Sequence, residues 1–282
     1  MPPAEPLHSH PLDIELLRAW PLPSDADGDK FARGTVLVIG GSASTPGATI
    51  LAGVAALRAG AGRLQIATAP EVASAVAIEV PESKVVPMTS EELSECVPRA
   101  SCVLIGPGLP AEDATTELVG TVLEMIDDES IVVLDAAAIQ AIGAVEPPVR
   151  NRLRGRIVLS PNRQELQELL GGDDDQGAEA VREAAERFGA VVTSFGCVRS
   201  PDGRWWETSA GHPALGTSGS GDVAAGLIAG VAARTRNADQ AACWGTLLHL
   251  LAGERLGADN EPVGFLAREL IDAVTDVFGS DH

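Results

Sequence analysis

Short apolar runs alternate with longer alanine- and leucine-rich segments along most of this chain. Residues 35–40 (TVLVIG) form a β-branched apolar run that predicts a buried strand, and the segment after it predicts a helix that ends at Ala59. By the same pattern, further strands are expected at residues 64–68, 84–87, 101–105, 131–134, 156–159 and 190–193. Further helices are expected at residues 71–78, 111–125, 165–170, 178–188, 223–234, 238–256 and 266–277. Such alternation indicates an α/β fold in which helices cover both faces of a mostly parallel sheet.

Two segments depart from this alternation. Residues 197–199 and 204–207 flank a Pro-Asp-Gly sequence, which predicts an antiparallel hairpin. Residues 1–33 are rich in Pro and Asp, and they predict an N-terminal arm with one short helix near residues 12–20. Because no internal repeat or long linker follows, residues 34–282 are expected to form a single domain.

The glycine- and serine-rich run at 216–221 leads through Asp222 into an apolar segment at helical spacing. Glycines let the backbone approach a ligand closely, and the first turn of a helix leaves its N–H groups unpaired. Together with the helix dipole, such N–H groups form a site suited to phosphate. Asp222 beside that site indicates phosphoryl chemistry on a hydroxyl, with the carboxylate accepting the proton. The alternative is that the run is only a turn and Asp222 only a first-turn helix residue.

Composition narrows the classes of partner. The chain has 282 residues, of which 45% are hydrophobic, a net charge of -20 and a pI near 4.5. The acidic balance argues against nucleic acid and against anionic membrane surfaces as partners. It does not exclude an anionic nucleotide, because a local glycine-rich site can hold phosphate through backbone donors alone. No apolar run is long enough to cross a bilayer and the N-terminus lacks a signal-peptide pattern, so a cytoplasmic protein is expected.

The cysteine and histidine spacings predict neither a metal cluster nor a disulfide. The four cysteines have no CxxC spacing and are expected to be buried apolar side chains, and the five histidines form no metal-ligand pattern. His249 lies on an apolar helix face and is expected to be a hydrogen-bonded core histidine. The acidic run at 173–175 is expected to be a solvated loop.

Six segments in chain order, spanning about residues 12–277, resemble the ADP- or ATP-dependent NAD(P)H-hydrate dehydratases of the ribokinase-like superfamily. They read VLVIGGSASTPGATILAGVAALRAGAG, VLIGPGLP, VVLDAAAI, LSPNRQEL, GHPALGTSGSGD and LLHLLAGERLG. The resemblance implies a ribokinase-like three-layer sandwich. It also implies a repair reaction, in which the S epimer of hydrated NADH or NADPH is phosphorylated on its C6 hydroxyl and then loses phosphate. ADP or ATP is the implied phosphate donor, Mg²⁺ the implied cofactor, and a homo-oligomer the implied assembly.

The resemblance also implies roles for individual residues. Asp222 is the implied catalytic base. The implied anion hole is formed by the backbone N–H groups of Gly219, Ser220 and Gly221. The implied contacts to the hydrated dinucleotide are Ala48, Gly108, Asn162 and Asp222, and those to the nucleotide are Gly221, Ser194, Gly196 and His212. Glu165 is the candidate Mg²⁺ residue.

The chain departs from the family pattern at three places. Asn162 stands where the family has a histidine, Ala137 replaces the second Asp of a DADAL segment, and residues 194–196 (SFG) replace a Lys-Gly pair. Without that lysine, nucleotide binding is expected to be weak and to depend on backbone donors and Mg²⁺, unless Arg163 or Arg199 takes its place.

These departures leave two other functions open. The NxxE spacing at 162–165 is typical of sugar and vitamin kinases of the same fold, so a small-molecule kinase is one alternative. An inactive nucleotide-sensing protein is the other. Purely structural roles also remain open. Asp135 and Asn162 are each about as compatible with helix capping as with a ligand role, and Glu165 fits a first-turn helix charge.

Overall fold

One mixed sheet forms the centre of the protein. The computed structural model describes residues 9–24, 30–172, 177–260 and 264–277, so the predicted acidic loop at 173–175 lies outside the described residues. The described strands form a ten-stranded sheet in the order β1-β10-β9-β8-β7-β6-β5-β2-β3-β4. In chain order they are β1 (His10–Pro11), β2 (Thr35–Ile39), β3 (Arg63–Thr68), β4 (Ser83–Pro87), β5 (Cys102–Ile105), β6 (Ile131–Leu134), β7 (Ile157–Leu159), β8 (Val191–Ser194), β9 (Cys197–Arg199) and β10 (Trp205–Glu207).

The sheet is parallel from β4 to β8, and the hairpin extends it at one side. β9 pairs antiparallel with both β8 and β10, and β1 pairs parallel with β10. The predictions of a mostly parallel sheet and of the hairpin are therefore confirmed. Because the carboxyl ends of parallel strands meet at one edge, the loops after β2, β5, β6, β7 and β8 come together there.

Helices cover both faces of the sheet. They are α1 (Ile14–Ala19), α2 (Pro46–Arg58), α3 (Ala73–Glu79), α4 (Ser90–Cys96), α5 (Asp113–Met125), α6 (Ala137–Ala141), α7 (Pro147–Arg152), α8 (Arg163–Leu170), α9 (Ala178–Phe188), α10 (Ser220–Thr235), α11 (Ala238–Asn260) and α12 (Ala267–Ala273). The sequence pattern does not predict the short helices α4, α6 and α7, and it predicts a start of α10 three residues too late. The helices α4, α6 and α7 are too short to show a clear 3.6-residue apolar period.

Two apolar cores lie on opposite faces of the sheet. Alternate residues of β2 divide between them, with Val36 and Val38 in the core under α2, α10, α11 and α12, and Leu37 and Ile39 in the core under α5, α8 and α9. This period of two is what a strand buried on both faces requires. The predicted three-layer sandwich is thereby confirmed.

The described part of the N-terminal arm packs against α11. Leu12 and Leu17 are fully buried, and the side-chain N–H groups of Gln240 and Trp244 both donate to the carbonyl oxygen of Trp20 at 2.9 Å. The helix α1 lies where the sequence predicts a short helix, while the division into arm and domain stays a prediction.

Close packing of α2 on α10 brings two helix N-termini together. Gly226 and Gly230 of α10 face the backbone of α2, and a Cβ atom at either position would collide with the carbonyl oxygens of Ala52 and Ala56. Glycine at both positions lets the two helices touch through their backbones. As a result, the loop before α2 and the loop before α10 lie side by side.

The lengths of the apolar helices and the state of the cysteines also bear on the sequence predictions. Within the described ranges, no helix combines the length and apolar character needed to span a membrane. All four cysteines are buried and unpaired, as predicted.

Candidate active site

The loop before α10 presents unpaired backbone donors. Gly219 is the residue before the helix; it has a left-handed backbone (φ 88°) and no side chain caps this helix end. Among the described residues, the N–H groups of Gly219, Gly221 and Asp222 donate to no carbonyl, whereas the N–H of Ser220 donates to the carbonyl of Thr217 at 3.2 Å. The N–H of Ser220 is thus used within the loop, whereas the N–H of Asp222 is available in addition to those of Gly219 and Gly221. The anion hole of Gly219, Ser220 and Gly221 stays a prediction.

Ser220 is fixed by a histidine that the sequence assigned to the core. Its buried hydroxyl lies 2.8 Å from Nε2 of His249 in α11. Burial lowers the pKa of His249 to about 4, so the ring is neutral at pH 7. The expected hydrogen bond of His249 is present, but its partner is the first residue of the helix that carries the anion site. Sequence spacing alone gave no signal for this contact, because it joins residues of two different helices.

Asp222 is the third residue of α10 and is half-buried beside these donors. Burial, with a smaller contribution from the charge of Glu165, raises the pKa of Asp222 to about 6. A carboxylate with this pKa is largely ionised at pH 7 and is close enough to neutrality to accept a proton efficiently. The geometry therefore fits a general base next to an anion hole.

A buried carboxyl group, that of Asp135, directly follows β6. Asp135 accepts a hydrogen bond from the Ser160 hydroxyl at 2.8 Å. Burial, opposed by the Ser160 hydrogen bond and reinforced by the charges of Asp222 and Glu165, raises the pKa of Asp135 to about 8. The capping interpretation of Asp135 is wrong, because the residue before α6 is Ala136 and no side chain caps that helix.

We expect Asp135→Asn to stabilise the free protein increasingly as pH rises. The folded protein holds the Asp135 proton more tightly than the unfolded chain does, so the wild type loses stability progressively as pH rises from the ordinary pKa of 3.8 to about 8. Asn has no proton to lose, and its oxygen can still accept from Ser160. The melting temperatures of the two proteins should agree near pH 4 and diverge in favour of the variant by pH 8. A variant that is equally or less stable at pH 8 would show that the carboxyl group ionises in the fold without cost.

Asn162 and Glu165 form the start of α8. The side chain of Asn162 accepts from the N–H of Glu165 at 3.0 Å, and the Glu165 carboxylate accepts from the N–H of Asn162 at 2.9 Å. Burial raises the pKa of Glu165. The hydrogen bond from the Asn162 N–H opposes this rise, and the charge of Glu168 adds to it. This capping box confirms the structural role of both residues. Their roles toward substrate and Mg²⁺ stay predictions.

The structure brings Ala48 and Gly108 together. Gly108 has a left-handed backbone (φ 70°), and a Cβ atom there would lie 2.5 Å from the Thr45 carbonyl and 3.0 Å from the Cβ of Ala48. The hydroxyl of Thr45 also donates to the Gly108 carbonyl at 2.8 Å. The turn after β5 and the start of α2 thus form one wall of the site, and contact with the dinucleotide there stays a prediction.

The turn after β8 is braced within the protein. The buried Ser194 hydroxyl donates to the Pro161 carbonyl at 2.7 Å, so it is already engaged. Phe195 and Gly196 both have left-handed backbones (φ 54° and 71°). The guanidinium of Arg163 lies 4.6 Å from the centre of the Phe195 ring, which places a positive charge beside this turn.

Arg199 and His212, two further candidates for nucleotide contact, both pack against other parts of the protein. Arg199 is buried, and its guanidinium stacks on the Trp205 ring at 3.4 Å from the ring centre. His212 accepts from the Ala214 N–H at 3.2 Å, and its ring lies against the backbone of Gly257 in α11. Of the two arginines expected to be able to replace the lysine, Arg163 contacts the turn through the Phe195 ring, and the role of either arginine stays a prediction. The nucleotide roles of Ser194, Gly196 and His212 stay predictions.

The protein is similar to known enzymes along nearly its full length. The family model described as NAD(P)H-hydrate dehydratase matches residues 36–276. The ADP-dependent (S)-NAD(P)H-hydrate dehydratase of Xanthomonas campestris is 42% identical over 274 residues, which cover 90% of this chain and 91% of that protein.

Solved structures agree with this similarity. The Bacillus subtilis ADP/ATP-dependent NAD(P)H-hydrate dehydratase, co-crystallised with ATP/Mg²⁺, superposes with a TM-score of 0.82 at 26% identity, covering 97% of this chain and 99% of that one. A ribokinase-like superfamily protein of Enterococcus faecalis has a TM-score of 0.81 at 23% identity over 91% of this chain and 90% of its own, which supports the predicted fold alone. From the sequence match and the shared architecture, the chain belongs to the NAD(P)H-hydrate dehydratase family.

Proposed function

We propose that the protein is an ADP- or ATP-dependent dehydratase that converts the S epimer of hydrated NADH or NADPH back to the reduced dinucleotide. The observation that carries this proposal is Asp222, whose pKa near 6 makes it a base at the side of the unpaired N–H groups of α10. The membership of the chain in the dehydratase family supplies the substrate class.

The residues support a kinase-like first step. Asp222 accepts the proton of the C6 hydroxyl as that oxygen attacks the terminal phosphorus of the nucleotide, and the N–H groups of Gly221 and Asp222 hold the phosphoryl oxygens. The bond between that phosphorus and its bridging oxygen breaks, so AMP leaves from ADP, or ADP leaves from ATP. The C6–O bond then breaks and phosphate leaves with the bonding electrons. The lone pair of the ring nitrogen stabilises the positive charge at C6, and loss of a proton from C5 restores the ring double bond. The enzyme is thus a carbon–oxygen lyase.

Mg²⁺ fits this site only as an ion shared with the nucleotide. The described residues contain no group of three or more side chains able to hold a metal. Mg²⁺ keeps several waters and is commonly bound through one or two carboxylates plus substrate phosphates. Asp222 and Glu165 are near enough for their charges to interact, so they are the carboxylates that would face such an ion. When bound, Mg²⁺ neutralises phosphate charge.

Arg163 is expected to supply fixed positive charge for the nucleotide. Because it stacks on Phe195 beside the turn after β8, Arg163→Gln should weaken ADP or ATP binding roughly tenfold at low salt, with a smaller effect at high salt. Arg150→Gln in α7 is the matched control and should leave affinity unchanged. Isothermal titration measures both; equal affinity of Arg163→Gln and wild type at low salt would exclude Arg163 from the nucleotide site.

One assay tests the proposed function. The protein is incubated with hydrated NADH and ADP or ATP, and the return of reduced-nicotinamide absorbance is followed. Turnover supports the dehydratase, and its absence with both nucleotides contradicts it. The small-molecule kinase is no longer favoured by the NxxE spacing, because Asn162 and Glu165 form a capping box. An inactive nucleotide-sensing protein would bind nucleotide without turnover.

Assembly and location stay predictions. A homo-oligomer is expected from the family resemblance, and light scattering on the purified protein measures its mass. The expected cytoplasmic location is tested by cell fractionation.

A further inference from the structure

A row of residues at four-residue intervals runs along one side of α11. It consists of Gly245, His249, Gly253 and Gly257 and is called the α11 row below. Residues four apart lie on the same side of a helix and form a ridge. The three glycines let neighbouring segments approach the backbone of α11 closely. His249 differs from them, because it places a polar ring in the row.

The α11 row contacts α10 and the loop before it, in reverse chain order. A Cβ atom on Gly245 would lie 2.7 Å from the backbone nitrogen of Ile228 in α10. A Cβ atom on Gly253 would lie 2.5 Å from Cδ2 of Leu215, and one on the last glycine of the row would collide with the ring of His212. Residues 212–228 are therefore packed along α11, with the loop at its C-terminal half.

Ser220 is held on two sides. Its hydroxyl lies 2.8 Å from Nε2 of His249, and its N–H donates to the carbonyl of Thr217 at 3.2 Å. Ser220 is buried, so these hydrogen bonds form where the local dielectric is low. Its neighbours Gly219 and Gly221 have no side chains that could fix the loop. The hydrogen bond to His249 therefore fixes the start of α10 relative to α11.

We propose that His249 is a positioning residue for phosphoryl transfer. Through the hydroxyl of Ser220, it holds the first turn of α10, so that the N–H groups of Gly221 and Asp222 and the carboxylate of Asp222 keep fixed positions. This inference rests on the proposed function, in which those N–H groups hold the phosphoryl oxygens. Glycine-rich backbone has many accessible conformations, whereas donors that are already in place need no reorganisation as charge develops. In this role the imidazole acts only through Ser220.

The kinetics of single and double variants test this role. Ser220→Ala and His249→Leu each remove the hydrogen bond, and each should lower kcat for hydrated NADH roughly 10–100-fold, because small displacements of positioned groups carry losses of that size. KM for hydrated NADH should stay within about twofold, because the lost contact supports the transition state more than the bound substrate. The double variant should be no slower than either single variant, since both substitutions remove the same contact. His249→Gln, whose amide can still donate to or accept from the Ser220 hydroxyl, should recover most of the wild-type kcat.

Two matched controls separate this role from a general loss of stability. Ser130→Ala removes another buried hydroxyl hydrogen bond, from Ser130 to the Ala100 carbonyl at 2.5 Å, at the opposite edge of the sheet from the site. Gln240→Leu removes a contact between α11 and the carbonyl oxygen of Trp20. Both controls should lower the melting temperature, as the variants of the Ser220–His249 pair should, because a buried partner is left unpaired. Their kcat should equal that of the wild type.

Four kinetic results would overturn the proposal. Wild-type kcat in His249→Leu would show that the bond does not position the loop. Losses that multiply in the double variant would show that Ser220 and His249 act separately. If His249→Gln were as slow as His249→Leu, the imidazole would contribute something other than its bond to Ser220. Equal losses of kcat in Ser130→Ala or Gln240→Leu would attribute the effect to stability.

Amide hydrogen exchange distinguishes failure of this inference from failure of the proposed function. The N–H groups of Ser220 and Val223 donate to carbonyls of the loop before α10, so their exchange reports order at the start of this helix. Exchange at both amides should be faster in His249→Leu than in the wild type and unchanged in Gln240→Leu. Faster exchange without turnover by the wild type would support positioning of the loop by His249 and contradict the proposed reaction. Unchanged exchange in His249→Leu overturns the inference.

Discussion

Replacing Asp222 with Asn should leave a folded protein that still binds nucleotide but turns over hydrated NADH roughly 10²–10⁴-fold more slowly, the usual loss when a general base is removed. Asn keeps the size and the first-turn position of the side chain, and it cannot accept a proton. The N–H groups of Gly219, Gly221 and Asp222 are backbone groups, so the anion site remains. Steady-state kinetics and nucleotide titration on the same preparation separate the two effects.

The pH dependence identifies the group involved. Because the pKa of Asp222 is about 6, the wild-type rate should fall as pH drops through 6 and the base becomes protonated. The slow residual rate of Asp222→Asn should lack that acid limb. Asp113→Asn, an exposed substitution at the start of α5, is the matched control and should keep both rate and pH profile. Near-wild-type turnover by Asp222→Asn would rule out Asp222 as the base.

Sequence patterns predict the strands of this fold better than its helix ends. The runs at β5 and β6 are apolar throughout and bounded by polar residues or glycine, so both are recognisable as strands buried on two faces. The start of α10 is different, because Ser220 and Gly221 have low helix propensity and look like loop. The structure nevertheless begins the helix at Ser220, whose hydroxyl lies 2.8 Å from Nε2 of His249 in the neighbouring α11.

The sequence predicts those parts of the candidate site whose residues are neighbours in the chain. Asp222 follows its glycine loop directly, so a single motif indicates both. The bond from Ser220 to His249 and the buried state of Asp135 depend on residues far apart in the chain, and no local spacing reveals them. Asn162 and Glu165 show that a local motif can also be ambiguous, because the same spacing fits both a kinase motif and a capping box. Only the hydrogen bonds identify the capping role.

Gly221→Val should abolish turnover and strongly weaken nucleotide binding while leaving the fold intact. Gly221 is the exposed second residue of α10, and a Cβ atom there would meet nothing within 4 Å in the free protein. Valine is also a somewhat better helix former than glycine, by a few tenths of a kcal/mol. The isopropyl group would instead stand over the N–H groups of Gly221 and Asp222, where phosphate has to approach. We expect affinity for ADP or ATP to fall roughly a hundredfold or more, because close backbone contacts to an anion are lost.

Gly120→Val in α5 is the matched control, since a Cβ atom at Gly120 also meets nothing within 4 Å and the residue is likewise helical. Its affinity and turnover should equal those of the wild type. Gly219 is unsuitable for this test, because its backbone is left-handed and a Cβ atom there would lie 2.6 Å from Cδ1 of Leu51. Any side chain at this position would strain the fold, so a loss of binding could not be told apart from unfolding. Circular dichroism and thermal unfolding should show both Gly221→Val and Gly120→Val folded. If isothermal titration then finds unchanged nucleotide affinity in Gly221→Val, phosphate binds elsewhere, and the base at Asp222 would have no anion hole beside it.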